Sequence, residues 1–295
     1  MKYIIFDLEF NSGKNRLTDK NLNEIIEIGA VKLDSNLIEE SSFSVTVKPN
    51  LTVKLNKYVQ KLTQITEDEL KNAPLFSDAI NSFINWCYDE DDDVVFSSWS
   101  TTDLFVLIEN YSANLKKDRI DFIKMYFDLQ KFATRSIKKV DNNQISLQNA
   151  AEKFNICTDK MQLHRAKDDS RICAELLRLT FDKKELCRYI CKTDTDDYFR
   201  RLTYKPHYII DINDKDIDKS AFSANCPICT RRLHAISKPT QKFSMFYTKF
   251  QCKKCKRKFI LTVKFRKMYD YIDVKKRLKE IKPEQTTNNS LDNKN

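Results

Sequence analysis

The sequence predicts a mixed α/β domain followed by a small cysteine-knuckled module, and three observations predict it. Strand-like and amphipathic helical segments interleave through the first 181 residues. Acidic residues sit at the ends of several of these segments. The charge then changes character along the 295-residue chain. Residues 1–181 carry 24 Lys or Arg against 28 Asp or Glu, residues 182–220 balance at 9 against 9, and residues 221–295 hold 19 against 5. A chain of this length has room for one domain of ordinary size and a second, smaller one.

Tyr3-Ile4-Ile5-Phe6 is an apolar run too short for a helix and rich in strand formers, so residues 2–10 read as a buried strand. Further strand signals cover 24–34, 41–48, 93–98 and 122–127. Helical signals cover 66–71, 74–88, 102–115, 128–138, 146–154 and 167–181. Thr66-x-x-Glu69 has the form of a capping box, and Pro74 suits a first helical position. Three strands followed by alternating helices and strands predict a mixed sheet with helices on both faces. The chain has two glycines, Gly13 and Gly29, so it has no glycine-rich phosphate loop and is no nucleoside-triphosphate motor.

Side chains alternate across a strand, so Asp7 and Glu9 share one face while Leu8 points to the other. Two carboxylates side by side at the end of a buried strand repel each other and lose hydration unless cations hold them. Taken alone, such a pair is better read as a strand tip whose acids face water. Asp169 strengthens the metal reading. It is followed at +3, +4, +7 and +8 by Ile172, Cys173, Leu176 and Leu177, which puts an acid in register with a helix's apolar stripe. Asp168 lies at the stripe's edge and suits the helix start. His164 precedes that helix on a short loop. Asp103 follows the strand-like Val94-Val95-Phe96 and lines up with Val106, Leu107 and Tyr111, although Ser100-x-x-Asp103 also matches a capping box.

Together, Asp7, Glu9, Asp103, His164 and Asp169 resemble the catalytic set of the DEDDh 3′-5′ exonuclease family. The resemblance covers residues 1–181. NEIIEIGAVKLD (Asn23–Asp34) looks like the family's second strand, LTQITEDEL (Leu62–Leu70) like its substrate-side turn, and His164–Asp169 like its third motif. It implies a ribonuclease H-like fold, a single-stranded RNA or DNA 3′ end as substrate, and two Mg²⁺ or Mn²⁺ ions. In that family pattern Asp7 bridges both ions, Glu9 and Asp169 hold the nucleophile-side ion, Asp103 holds the leaving-group-side ion, and His164 takes a proton from the attacking water. Hard carboxylate oxygens suit these ions better than zinc. Phe10 stands where proofreading members carry Thr, and is expected against the terminal sugar or base. Trp99-Ser100-Thr101-Thr102-Asp103 is closer to the Trp-Gly-x-x-Asp of members that trim RNA 3′ ends, with Ser100 in place of Gly, which favours RNA over DNA. The alternative is a catalytically inactive nucleic-acid-binding scaffold.

Beyond residue 181 the sequence predicts a connector over 182–220, a zinc ribbon over 221–268, and a basic helix with a disordered tail over 269–295. Cys226-Pro-Ile-Cys229 and Cys252-Lys-Lys-Cys255, separated by 22 residues, are two CxxC knuckles at the spacing of a four-cysteine zinc site. So short a module depends on its metal for folding energy, which predicts one structural Zn²⁺. Arg231, Arg232, Lys253, Lys254, Lys256, Arg257 and Lys258 crowd the knuckles. Interleaved with Phe243, Phe246, Tyr247 and Phe250, they predict a surface for phosphates and unstacked bases. Cys87, Cys157, Cys173, Cys187 and Cys191 read mostly as core thiols. With no leader-like segment before the first strand and no apolar stretch of membrane-span length, the expectation is a reducing, cytoplasmic setting without membrane contact.

Overall fold

A computed structural model describes residues 1–88, 93–135, 145–159, 161–195 and 197–281. The chain divides into two compact units, Met1–Thr203 and Tyr204–Asn295.

The first unit is built on a six-stranded sheet in the order β3-β2-β1-β4-β5-β6. Its strands are β1 (Lys2–Lys14), β2 (Asn21–Leu33), β3 (Glu39–Thr46), β4 (Val94–Ser98), β5 (Met125–Asp128) and β6 (Cys191–Lys192). β1 runs antiparallel to β2 and parallel to β4, β5 runs parallel to β4, and β3 and β6 are antiparallel edges. A sheet of mixed direction with both faces covered requires its central strand to be apolar on both sides. β1 meets that requirement. Ile4, Phe6 and Leu8 face one core with Phe83 of α3 (Phe76–Cys87) and Leu104 and Leu107 of α4 (Thr101–Asn110). Tyr3 and Ile5 face a second core with Ile172, Leu176 and Leu177 of α7 (Ala166–Thr180). α1 (Lys57–Thr63), α2 (Glu67–Lys71), α5 (Leu129–Ala133), α6 (Leu147–Lys153), α8 (Lys183–Leu186) and α9 (Tyr198–Thr203) complete the unit. α2 carries the expected capping box at Thr66 and Glu69. The last turns expected for the helix at 102–115 form a π-helical turn over Tyr111–Leu115, and the end expected for the helix at 128–138 lies outside the described residues.

The second unit is an antiparallel sheet of β7 (His207–Tyr208), β8 (His234–Ala235), β9 (Thr240–Lys242), β10 (Met245–Gln251), β11 (Lys258–Lys267) and β12 (Ile272–Glu280). Alternation along β11 buries Phe259, Leu261, Val263 and Phe265, which pack on Phe246 and Phe250 of β10.

Three expectations change here. The segment 182–220 is shared between the units rather than forming a connector. β6 pairs with β5 and Phe199 is buried in the first unit, while Ile209 and Ile217 join the second core. Residues 272–280 form a strand in place of the expected basic helix, because β11 offers an unpaired edge along its whole length and nine consecutive residues pair with it. Cys157, Cys187 and Cys191 are exposed, and only Cys87 and Cys173 of that group are core thiols. The tail expected to be disordered, 282–295, lies outside the described residues. Among the described residues, no helix is long and apolar enough to cross a membrane.

Candidate active site

The same alternation that buries Tyr3 and Ile5 against α7 carries Asp7 and Glu9 onto the α7 side of the sheet. Asp7 is the cross-strand partner of Gly29, and Glu9 that of Glu27. Gly29 lets the first turn of α7 press directly on β2. A Cβ there would lie 2.1 Å from Ala166 C and from Lys167 N. Ser170 Oγ donates to Gly29 O at 3.1 Å and fixes the contact. One turn into this helix, Asp169 is buried on the apolar stripe and faces the β1 carboxylates. A bulge between Glu9 and Phe10 ends the regular pairing just past the acids.

Asp103 reaches the site from the opposite helix layer. Ser100 caps α4 by accepting from the Thr102 N–H at 3.2 Å, and no capping box forms. The Asp103 carboxylate is instead buried and accepts from the Leu8 N–H of β1 and from its own N–H, beside a Ser98 hydroxyl that donates to Ser100 O at 2.6 Å. His164 sits in the left-handed region, with φ 63°. That conformation costs a non-glycine residue on the order of 1 kcal/mol. It turns the loop so that an imidazole nitrogen and carboxylate oxygens of Glu9 and Asp169 lie within 4.8 Å of one another. The His164 N–H also donates to Asp169. Asp168 takes a separate structural place, accepting from the Gln162 N–H at 2.9 Å.

Electrostatics join the four acids. Burial and the negative charges of Asp103, Asp169, Glu9 and Glu27 push Asp7 well above the usual carboxylate range. Burial, with Asp169 and Glu27 beside it, pushes Glu9 up to about 9. Burial raises Asp103 to about 7 against its hydrogen bonds, and Asp169 to about 6. Arg165, the cation beside Glu9 among the described residues, is already committed. Arg165 clamps the buried Glu27 through Nε at 3.0 and 3.2 Å and Nη2 at 2.7 Å, and the Ala166 N–H adds 2.9 Å. This Glu27–Arg165 pair is absent from the sequence reading. It anchors the loop behind His164 to β2. Gln162 in the same loop reaches Gln64 at 3.3 Å, which puts the Leu62–Leu70 turn beside it. Phe10 is half-buried and packs on the α3–α4 core. Four hard oxygen donors, raised in pKa and, among the described residues, with the neighbouring Arg165 given to Glu27, fit divalent cations of the magnesium type.

The second unit brings its four cysteines together, with sulfur atoms all within 4.8 Å of one another. The two knuckles repeat one geometry. The Cys226 N–H donates to Arg231 O at 2.8 Å and the Cys252 N–H to Arg257 O at 3.0 Å. The Thr230 and Lys256 N–H groups return to Cys226 O and Cys252 O at 2.8 and 2.9 Å, with left-handed φ of 59° and 60°. The Cys255 N–H holds Cys252 down to about 6, while the other thiols push Cys255 up to about 12. One thiolate forms readily and further ones need a cation. Soft donors in a closed set of four fit zinc. Arg231, Arg232, Lys253, Lys254, Lys256, Arg257 and Lys258 are all exposed. Phe246 and Phe250, expected on the surface for bases, are instead core side chains, because the β10 alternation turns them onto β11. Phe243 is the exposed one.

A mixed sheet with helices on both faces and an acid cluster between its central strand and the last long helix is the ribonuclease H-like exonuclease fold. The chain belongs to the exonuclease family (RNase_T), whose profile matches residues 4–177. It is similar to the DNA polymerase III PolC-type of Clostridium perfringens, 28% identical over 218 residues that make up 71% of this chain and 14% of that protein. It is also similar to the 3'-5' exoribonuclease 1 of Mus musculus, 27% identical over 56% of this chain and 49% of that protein. The chain therefore spans half or less of the length of these relatives. Its fold matches the nuclease domain of 3'hExo, a DEDDh family member, bound to rAMP, with TM-score 0.52 and 23% identity over 60% of this chain and 90% of that one.

Proposed function

We propose that this chain hydrolyses single-stranded nucleic acid from its 3′ end, with RNA favoured over DNA, using two Mg²⁺ or Mn²⁺ ions. The observation that carries the proposal is the acid cluster itself. Asp7, Glu9, Asp103 and Asp169 are drawn together at a cost in charge repulsion and desolvation that, among the described residues, Arg165 offsets only in part at Glu9. These four carboxylates would hold the ions. Bound there, the ions supply a nucleophile at neutral pH and neutralise charge on phosphorus.

The remaining chemistry belongs to the chain. His164, turned beside Glu9 and Asp169, takes the proton of the attacking water on a ring nitrogen. The Leu8 N–H holds the Asp103 carboxylate in one orientation, and the Glu27–Arg165 clamp does the same for the His164 loop. Phe10, half-exposed just past the bulge, packs against the terminal sugar or base. The Trp99–Asp103 motif and the likeness to an exoribonuclease support RNA. In the second unit, Cys226, Cys229, Cys252 and Cys255 hold one structural Zn²⁺, and the basic residues around the knuckles add affinity for phosphates. Free thiols and a zinc framework support a cytoplasmic setting.

The test is release of mononucleotides from 3′-labelled and 3′-blocked oligonucleotides of both sugars, with Mg²⁺, Mn²⁺ or EDTA. The unblocked 3′ end should be cut stepwise in either metal and in neither case with EDTA. Asp7→Asn should lower turnover at least a thousandfold while binding persists. Cleavage surviving that substitution would put the site elsewhere, and tight binding with no release by the unaltered chain would make the protein a scaffold.

A further inference from the structure

The outer face of the second unit's sheet is a basic strip distinct from the cysteine knuckles. Strand pairing fixes which side chains share it. Phe259, Leu261, Val263 and Phe265 of β11 face the core, so Lys264 and Arg266 face out. The β11–β12 register places Lys275 opposite Lys264, Arg277 opposite Thr262, and Lys279 opposite Ile260. β10 adds Lys249, which is also opposite Ile260.

The strip is costly as a piece of folded protein. Lys264 and Lys275 are direct cross-strand partners, an arrangement of like charges that destabilises a sheet. β12 sets one acid into the strip, Asp273, opposite Arg266 and 4.0 Å from Lys275. The same face carries two half-exposed rings. Tyr208 of β7 pairs with Arg266 and lies under Lys264 Nζ at 4.7 Å, and Tyr247 of β10 pairs with Thr262. Cations at strand spacing alternating with flat aromatic rings match a chain of phosphates and unstacked bases. A duplex would use the charges and leave the rings idle.

We propose that this sheet face, rather than the knuckles, is the principal binding surface for single-stranded nucleic acid. The proposal deepens the exonuclease reading and rests on it for the class of ligand. The occupant is one polynucleotide strand lying across β10, β11 and β12. Its phosphates contact Lys264, Arg266 and Arg277, and one base stacks on Tyr208.

The test uses the full chain and a fluorescein-labelled twelve-nucleotide RNA with phosphorothioate linkages at its 3′ end, followed by anisotropy across a salt series. The triple variant Lys264→Gln/Arg266→Gln/Arg277→Gln should weaken binding at least tenfold and lower the salt slope by about 2, since each phosphate contact contributes about 0.7 on a single strand. Tyr208→Ala should weaken single-strand binding about tenfold with the slope unchanged. Lys253→Gln/Lys254→Gln/Lys256→Gln, at the knuckle, should lower both quantities by less than half as much, as befits a secondary contact. Melting temperatures within a few degrees of the unaltered chain establish that the exposed substitutions leave the fold alone. An unchanged slope in the sheet-face variant, or a loss confined to the knuckle variant, would overturn the proposal while exonuclease activity stands. Equal binding of a duplex would overturn its single-strand part. If the unaltered chain held phosphatidylserine vesicles and no oligonucleotide, the surface would be a membrane one, and the nucleic-acid reading of this unit would fall.

Discussion

Gly29 illustrates how one absent methyl group positions the candidate site. Its backbone is not in the left-handed region, so the residue is needed for space alone. Because it lies directly across from Asp7, the close approach of α7 to the sheet falls beside the acids. Gly29→Ala would meet peptide backbone, which has no rotamer by which to retreat. The expected outcome is a loss of about 2 kcal/mol or more in denaturant unfolding. Turnover should fall at least tenfold beyond any loss of folded protein, since Asp169 moves away from Asp7. Normal turnover at reduced stability would mean the helix can shift without disturbing the acids. Glu27 makes the complementary point. It stands beside Glu9 as a further buried carboxylate, and Arg165 ties it down and draws Glu9 back toward its charged form.

At the scale of elements, β1 and α7 are each written by a local period and meet only through packing. The two-residue period of β1 separates Leu8 from Asp7 and Glu9, and the 3.6-residue period of α7 puts Asp169 on the stripe of Ile172, Cys173, Leu176 and Leu177. The second unit relies on a different device. Its core is a dozen buried side chains, among them Cys226 and Cys252, so the cysteine cluster is part of the interior rather than an ornament on it. Cys252→Ser, or removal of metal with a strong chelator, should unfold this unit while the first keeps its melting transition. Limited proteolysis would report cleavage after Thr203 in the altered protein alone. Simultaneous loss of both units would instead show that they fold as one.

Across the whole molecule, the acid cluster makes metal and proton alternative counter-ions. Between about pH 4 and 9 the folded, metal-free chain binds more protons than the unfolded chain, because Glu9, Asp103 and Asp169 are raised to about 9, 7 and 6. Stability from these groups is therefore complete below the ordinary carboxylate range and is lost as pH rises through the folded values. Metal-free protein should melt several degrees lower at pH 8 than at pH 5.5, and Mg²⁺ or Mn²⁺ should remove most of that fall. A flat metal-free profile by calorimetry would mean that the acids are farther apart than the structure places them. Asp7, Glu9 and Asp169 were legible in the chain because each sits at a fixed offset from a local apolar pattern, Asp103 and His164 because the motifs around them resemble those of a known family, and the cysteines because CxxC spacing is itself local. Glu27 and Arg165 were not, since nothing near either residue says that the start of α7 docks on β2. Nor was the basic sheet face. Lys264 falls in the expected ribbon and Lys275 in the expected basic helix, and only strand register puts them side by side. Sequence alone determined which side chains would be presented by each strand and helix, because backbone periodicity is a short-range property. Tertiary structure decided which of those faces meet, which charges become neighbours and what each titrates against, because burial and Coulomb energy depend on distance through space and not along the chain.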